Sequence, residues 1–148
     1  MYKHILIATD GSELAMKGVK HGLGLAKASG AKATIVTTTE MWAPRQMASE
    51  AWRQNFDAVQ EFDAAAAKAA KEILDAASKA ADQAGVKAEL RHVPDTHPAE
   101  GILKAAADTG ADLIVIASHG RRGLNRMLLG SVAQEVITQS PVPAVIVR

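Results

Sequence analysis

Short apolar, β-branched runs alternate along the chain with longer stretches whose apolar positions recur every three or four residues. The runs are 5–8 (Ile-Leu-Ile-Ala), 33–38 (Ala-Thr-Ile-Val-Thr-Thr), 88–93, 113–117 (Leu-Ile-Val-Ile-Ala) and 142–147 (Val-Pro-Ala-Val-Ile-Val). Continuous apolar runs of this length predict strands buried on both faces. The third run, Ala-Glu-Leu-Arg-His-Val, alternates instead and suits an edge. Pro143 cannot donate to a ladder, so the fifth run should lie at an edge or begin there. Helical spacing links Ala15, Val19, Gly22, Leu23 and Ala26. It also links Phe62, Ala65, Ala69, Ile73, Ala76 and Ala80, then Ile102, Ala105 and Ala106, and finally Leu128, Leu129, Val132, Ala133, Val136 and Ile137. Gly30, Gly85 and Gly110 each follow a helical stretch and precede a strand, as helix-terminating glycines do.

The resulting order, β-α-β-α-β-α-β-α-β, implies right-handed crossovers, a parallel sheet and helices on both faces. The fold class is α/β, a Rossmann-like open sandwich, and residues 1–148 form one domain. One stretch departs from the pattern. Residues 40–57 hold Trp42, Trp52, Met41, Met47 and Phe56, an excursion longer than a usual βα loop. It reads as a packed surface loop running into the second helix, or as a lid or partner contact.

Composition narrows the class. There are 148 residues, 30 of them alanine and five aromatic, which suits closely packed helices rather than an all-β core. No cysteine is present, so disulfides and thiolate metal sites are excluded. The net charge of +1 gives no polyanion-binding signature, so nucleic acid is not an expected partner. No apolar run approaches the roughly 18 residues of a membrane span, and no membrane partner is expected. The opening Met1-Tyr2-Lys3-His4-Ile5 lacks the pattern of a secretory signal, which leaves the cytoplasm as the expected compartment.

In an open parallel sheet, ligands bind beyond the carboxyl ends of the strands where the strand order reverses. After the first strand comes Thr9-Asp10-Gly11-Ser12-Glu13. Asp10 and Glu13 could form a capping box. Alternatively, the Asp10 carboxylate could accept from ribose hydroxyls or hold a metal. After the fourth strand, Ser118-His119-Gly120-Arg121-Arg122-Gly123 leads through Arg126 to Gly130-Ser131. The glycines allow close backbone approach, and a helix opening at Gly130-Ser131 offers free N–H groups to an anion. Arg121, Arg122 and Arg126 add positive charge with no acid among them. The plainer reading has Ser131 and Gln134 as a capping box and the arginines solvated. The P-loop, dinucleotide-fingerprint and nucleophile-elbow motifs are all absent. Of the histidines, His119 alone falls in the candidate site, either packing the loop or touching a ligand.

These residues resemble the universal stress protein family along essentially the whole chain. The likeness includes 5–12 (Ile-Leu-Ile-Ala-Thr-Asp-Gly-Ser), His97-Pro98-Ala99-Glu100 and the closing 141–147. Its most specific part is the loop after the fourth strand. Nucleotide-binding members carry glycine, two residues, glycine, nine residues, then glycine with serine or threonine. Gly120, nine residues, then Gly130-Ser131 match the second part; Ala117 replaces the first glycine. Thr96, where many members have glycine, is a milder departure. The resemblance implies a five-stranded parallel sheet of order 3-2-1-4-5 and a bound ATP or AMP, with or without Mg. It implies that Asp10 and the backbone at Ala117 hold the ribose. Thr38, Ala8 and Thr9 line the adenine pocket. Gly120, Arg121, Gly130, Ser131 and Val132 cradle the phosphates through backbone N–H groups and the Ser131 hydroxyl.

The function expected is that of a cytoplasmic, homodimeric stress-response regulator that senses adenine nucleotide. The alternatives are a slow ATPase and a nucleotide-free interaction module. Catalysis has little support, because only Asp10 and His119 are titratable candidates and no catalytic residue or protein-held metal is singled out. A response-regulator receiver would need clustered acids after the first strand, and Glu13 is the sole acid near Asp10. The last strand, an edge in the implied order, would otherwise be exposed. Pairing with its copy through Val142, Ala144, Val145, Ile146 and Val147 would cover it in a two-fold dimer.

Overall fold

The structure is a computed structural model that describes residues 1–41, 56–121 and 128–148. Nine elements follow in order: β1 (His4–Ala8), α1 (Glu13–Ser29), β2 (Lys32–Thr38), α2 (Phe56–Ala84), β3 (Ala88–Val93), α3 (Pro98–Thr109), β4 (Leu113–Ala117), α4 (Ser131–Gln139) and β5 (Ala144–Val147). All strand pairs are parallel, and the sheet order is β3-β2-β1-β4-β5. The fold class and strand order are those expected from the sequence.

Period-two alternation splits the interior into two layers. Ile5, Ile7, Ile35 and Val115 face one side, where they pack with Val19, Leu23, Leu74, Ala77 and Ala81 of α1 and α2. Leu6, Ala8, Val36, Ile114 and Ile116 face the other, against Ala99, Ile102, Ala105, Ala133 and Val136 of α3 and α4. β1 and β4 are buried along nearly their whole length; β3 at the edge does not show the expected alternation, with Glu89 and Leu90 exposed and its other residues half-buried. Close helix–sheet contact depends on missing side chains. A Cβ on Gly22 of α1 would lie 2.7 Å from Ile7 Cγ1.

Gly30 and Gly110 close α1 and α3 in the left-handed conformation, with φ of 64° and 66°. Gly85, at φ 68°, follows α2 directly. The amino-terminal end of the sheet is tied by Asp112, which accepts the N–H groups of Lys3 and His4 at 2.9–3.1 Å. Those bonds hold its carboxyl below the usual carboxylate range.

Four local expectations need correction. The buried stripe of α2 runs through Val59, Ala70, Leu74, Ala77 and Ala81, whereas Ala65, Ala69 and Ala76 are exposed. Alanine occurs on every face of this helix, so its positions carry little phase information, and Leu74 decides the register. Leu128 and Leu129 precede α4 rather than joining its stripe, and Leu128 is 67% exposed. β5 begins at Ala144; Val142 lies before it, where its N–H donates to Ser140 Oγ. Neither expected capping box forms: α1 is capped by Ser12, and the cap position of α4 is Gly130. Most of the 40–57 excursion, with both tryptophans, lies outside the described residues, as do Arg122 and Arg126.

Candidate nucleotide site

β1 and β4 are neighbours, but their chains leave for opposite faces, β1 into α1 and β4 toward α4. A crevice must open between the two exits. It is a cleft of ≈ 730 Å³.

The loop after β1 is shaped by its own polar groups. Thr9 N–H donates to the Val36 carbonyl at 2.9 Å and extends the ladder by one residue. Gly11 then turns the chain at φ 79°, where a Cβ would lie 2.8 Å from Ile73 Cγ1. Asp10 Oδ1 accepts the Ser12 N–H at 2.9 Å, an Asx turn, which leaves Ser12 to cap α1 by accepting from Ala15 N–H at 3.2 Å.

The loop after β4 is built on the first. Asp10 Oδ2 accepts the Arg121 N–H at 2.9 Å, so one carboxylate joins both loops. Gly120 lies directly against it, and a Cβ there would collide with Asp10 Oδ2. On the other side Gly130 N–H donates to the Ser118 carbonyl at 2.7 Å. A Cβ on Gly130 would stand 3.0 Å from that carbonyl oxygen and 3.1 Å from His119 Cα. Close approach, not backbone conformation, explains this glycine, since its φ is −63°. Ser118, itself buried, sets its hydroxyl 3.1 Å from His119 Nδ1.

The remaining walls come from β2, α2 and α3. Gly101 lets α3 close onto Thr38 and Thr96: a Cβ there would be 2.8 Å and 2.6 Å from their methyl groups. Thr96, a departure from the family pattern, is thus accommodated by a glycine on the facing helix. Phe62, Ala65 and Ala66 of α2 line the cleft with His97, Pro98 and Ile102. His97 Nδ1 lies 3.6 Å from Glu135 Oε2, a pair that is ionic when the ring is protonated.

The ten positions singled out in the sequence all line this one cleft: Ala8, Thr9, Asp10, Thr38, Ala117, Gly120, Arg121, Gly130, Ser131 and Val132. Ala117 is an ordinary strand residue paired with Val147; among the described residues the one non-glycine with positive φ is Asp95. An alanine there is therefore unstrained. Two expected phosphate donors are already engaged, however. Arg121 N–H is taken by Asp10, and Gly130 N–H by Ser118. The backbone donors left facing the cleft at α4 are those of Ser131, Val132 and Ala133, which have no intrahelical acceptor. The α2 and α3 walls were missed as site residues. Phe62 and Ala65 stand in the helical stripe read from the sequence, but nothing in the spacing told cleft from core. Among the described residues, no group of His, Asp and Glu could hold a metal.

The family model for the universal stress protein family matches residues 1–148. A universal stress protein of Methanocaldococcus jannaschii is 32% identical over 149 residues, spanning 100% of this chain and 83% of its own length. The universal stress protein YxiE of Bacillus subtilis is 32% identical over 160 residues and 100% of both chains. Among solved structures, a universal stress protein in complex with cAMP superposes with a TM-score of 0.70 at 27% identity. That match covers 99% of this chain and 97% of the other. Fold, full-length family match and full-length relatives agree: this chain belongs to the universal stress protein family.

Proposed function

We propose that the protein is a regulatory nucleotide-binding protein that holds ATP or AMP in the cleft beyond β1, β2 and β4. The observation that carries the reading is one cleft, of a size usual for small-molecule sites, in which a carboxylate, the glycine-dependent close approaches at Gly120 and Gly130 and a helix amino terminus converge. The related protein in complex with cAMP supports an adenine nucleotide as the ligand class. Asp10 has lone pairs left for ribose hydroxyls. Ala8, Thr9 and Thr38 bound the apolar end, where the adenine would sit. Ser131 and Val132 offer their N–H groups, and Ser131 its hydroxyl, to the phosphates. Gly120 and Gly130 let the loop after β4 pack against Asp10 and let α4 pack against the 118–119 backbone. Mg would enter with the phosphates and be held chiefly by them.

Among the described residues of the cleft, the Asp10 carboxylate is already engaged by the Ser12 and Arg121 N–H groups, which favours a sensor over an ATPase. The sensor acts in the cytoplasm in response to stress. It signals as a homodimer through the free edge of β5, whose residues Ala144, Val145, Ile146 and Val147 are half-buried in the single chain.

Thermal unfolding with millimolar ATP and Mg, and with GTP as control, tests the site. Ligand at about 100 times its Kd stabilises the folded state by roughly 2.7 kcal/mol. For a chain of this size that raises Tm by about 5–10 °C. A rise of that order with adenine nucleotides alone supports the reading. No rise, with protein stripped of bound nucleotide, rejects it in favour of a nucleotide-free interaction module.

A further inference from the structure

We infer that His119 contacts a phosphoryl group of the bound nucleotide and sets the preference for phosphorylated over unphosphorylated ligands. The inference rests on the nucleotide reading above and adds a residue that this reading does not use.

Three observations converge on it. His119 lines the cleft, between the turn at Gly120 and the start of α4. Its position relative to that helix is fixed by contact: Gly130 N–H bonds the carbonyl of the preceding residue, and a Cβ on Gly130 would stand 3.1 Å from His119 Cα and 3.4 Å from its Cβ. The imidazole is therefore attached where the N–H groups of Ser131 and Val132 open into the cleft. Lastly, the ring is oriented from behind. Nδ1 is 3.1 Å from the hydroxyl of buried Ser118, which leaves Nε2 as the ring nitrogen available to a ligand.

When Ser118 donates to Nδ1, Nε2 carries the proton and is a donor. Among the described residues, the other charged or titratable groups lining the cleft are Asp10, Glu40, His97 and Arg121. Glu135 stands behind His97. All of these remain when His119 is replaced, so a comparison with the variant isolates the imidazole.

The test is titration calorimetry of the full chain with ATP and with adenosine in one buffer. The proteins are the wild type, His119→Asn and His119→Gln. A hydrogen bond to a charged group is worth about tenfold in affinity. His119→Asn should lose about tenfold for ATP and change within about twofold for adenosine. His119→Gln, whose amide N–H can take the place of the Nε2–H, should lose less for ATP. Equal losses for ATP and adenosine would show a merely structural residue and overturn the inference. So would an ATP affinity that His119→Asn leaves unchanged. Failure of the wild type to bind either ligand would reject the nucleotide reading itself, and this inference with it. Binding of both ligands without a selective loss rejects the inference alone.

Discussion

Gly130→Ala is the sharpest test of how the cleft is built. The backbone there has φ −63° and ψ 152°, which any residue adopts, so no strain arises from conformation. The cost must come from space. The added Cβ would be 3.0 Å from the Ser118 carbonyl oxygen and 3.1 Å from His119 Cα. Both neighbours are backbone, and the first already accepts the Gly130 N–H at 2.7 Å. The two segments must move apart by a few tenths of an ångström, stretching that bond. Overpacking of this kind typically costs about 1–3 kcal/mol. Alanine is also a poorer cap than glycine, by up to about 1 kcal/mol. A total near 2–3 kcal/mol lowers Tm by about 5–10 °C. Gly130→Ser separates the two contributions, because it keeps the Cβ but restores a capping oxygen; it should recover about 1 kcal/mol. Scanning calorimetry of the three unliganded proteins measures both differences. If Gly130→Ala melts within a degree of the wild type, the approach of α4 to the 118–119 backbone does not depend on glycine. If the serine variant is no better than the alanine one, the capping part is wrong.

Other outcomes follow from the same geometry. Gly22→Ala and Gly24→Ala gain equal helix propensity on α1, about 1 kcal/mol. A Cβ at Gly22 lies 2.7 Å from Ile7 Cγ1, whereas at Gly24 it meets nothing within 4 Å. Urea unfolding should therefore show Gly24→Ala stabilised and Gly22→Ala destabilised; stabilisation of both would mean that the α1–β1 contact is slack. Burial holds the His92 ring below its ordinary 6.5, with Asp95 pulling weakly the other way. The unfolded chain then binds a proton that the folded one resists. Stability is unaffected above about pH 6.5 and falls as pH drops below it, and His92→Gln should flatten that part of a Tm-against-pH curve. Asp112, held low by the Lys3 and His4 N–H groups, contributes stability that is present above pH 3.8 and lost in more acid solution. Light scattering at tens of micromolar should give twice the chain mass for the wild type and one chain mass for Val145→Lys. A monomeric wild type would rule out the β5 pairing.

The strands were legible because their chemistry is redundant. Leu113, Ile114, Val115, Ile116 and Ala117 are apolar without interruption, and burial on both faces follows. The helix ends were legible at Gly30 and Gly110, where a left-handed residue is required. Helix phase in α2 was not. The twelve alanines of this helix leave the pattern nearly flat, and the true stripe through Ala70, Leu74 and Ala77 differs from its neighbours mainly at Leu74. Loop hydrogen bonding was legible only in part. Asp10 was singled out, but the same carboxylate could cap α1, bind a ligand or hold a loop. Its bond to Arg121 N–H spans residues 111 positions apart, which local spacing does not encode.

That bond changes how the site should be understood. The two loops that border the cleft are not independent arms waiting for a ligand to draw them together. Asp10 accepts from both, Gly120 is small so that the carboxylate can reach past it, and Ser118 ties the second loop to α4. Each bond removes a donor from the set available to a phosphate and fixes the geometry of those that remain. At the residues held in this way, binding carries less ordering cost, because their backbone has little freedom left to lose. Removing the carboxylate therefore acts twice, on the ribose contact and on the frame. For that reason Asp10→Ala does not discriminate between a ligand residue and a scaffold residue, whereas substitutions at His119, outside the Asp10 link, can isolate a ligand contact.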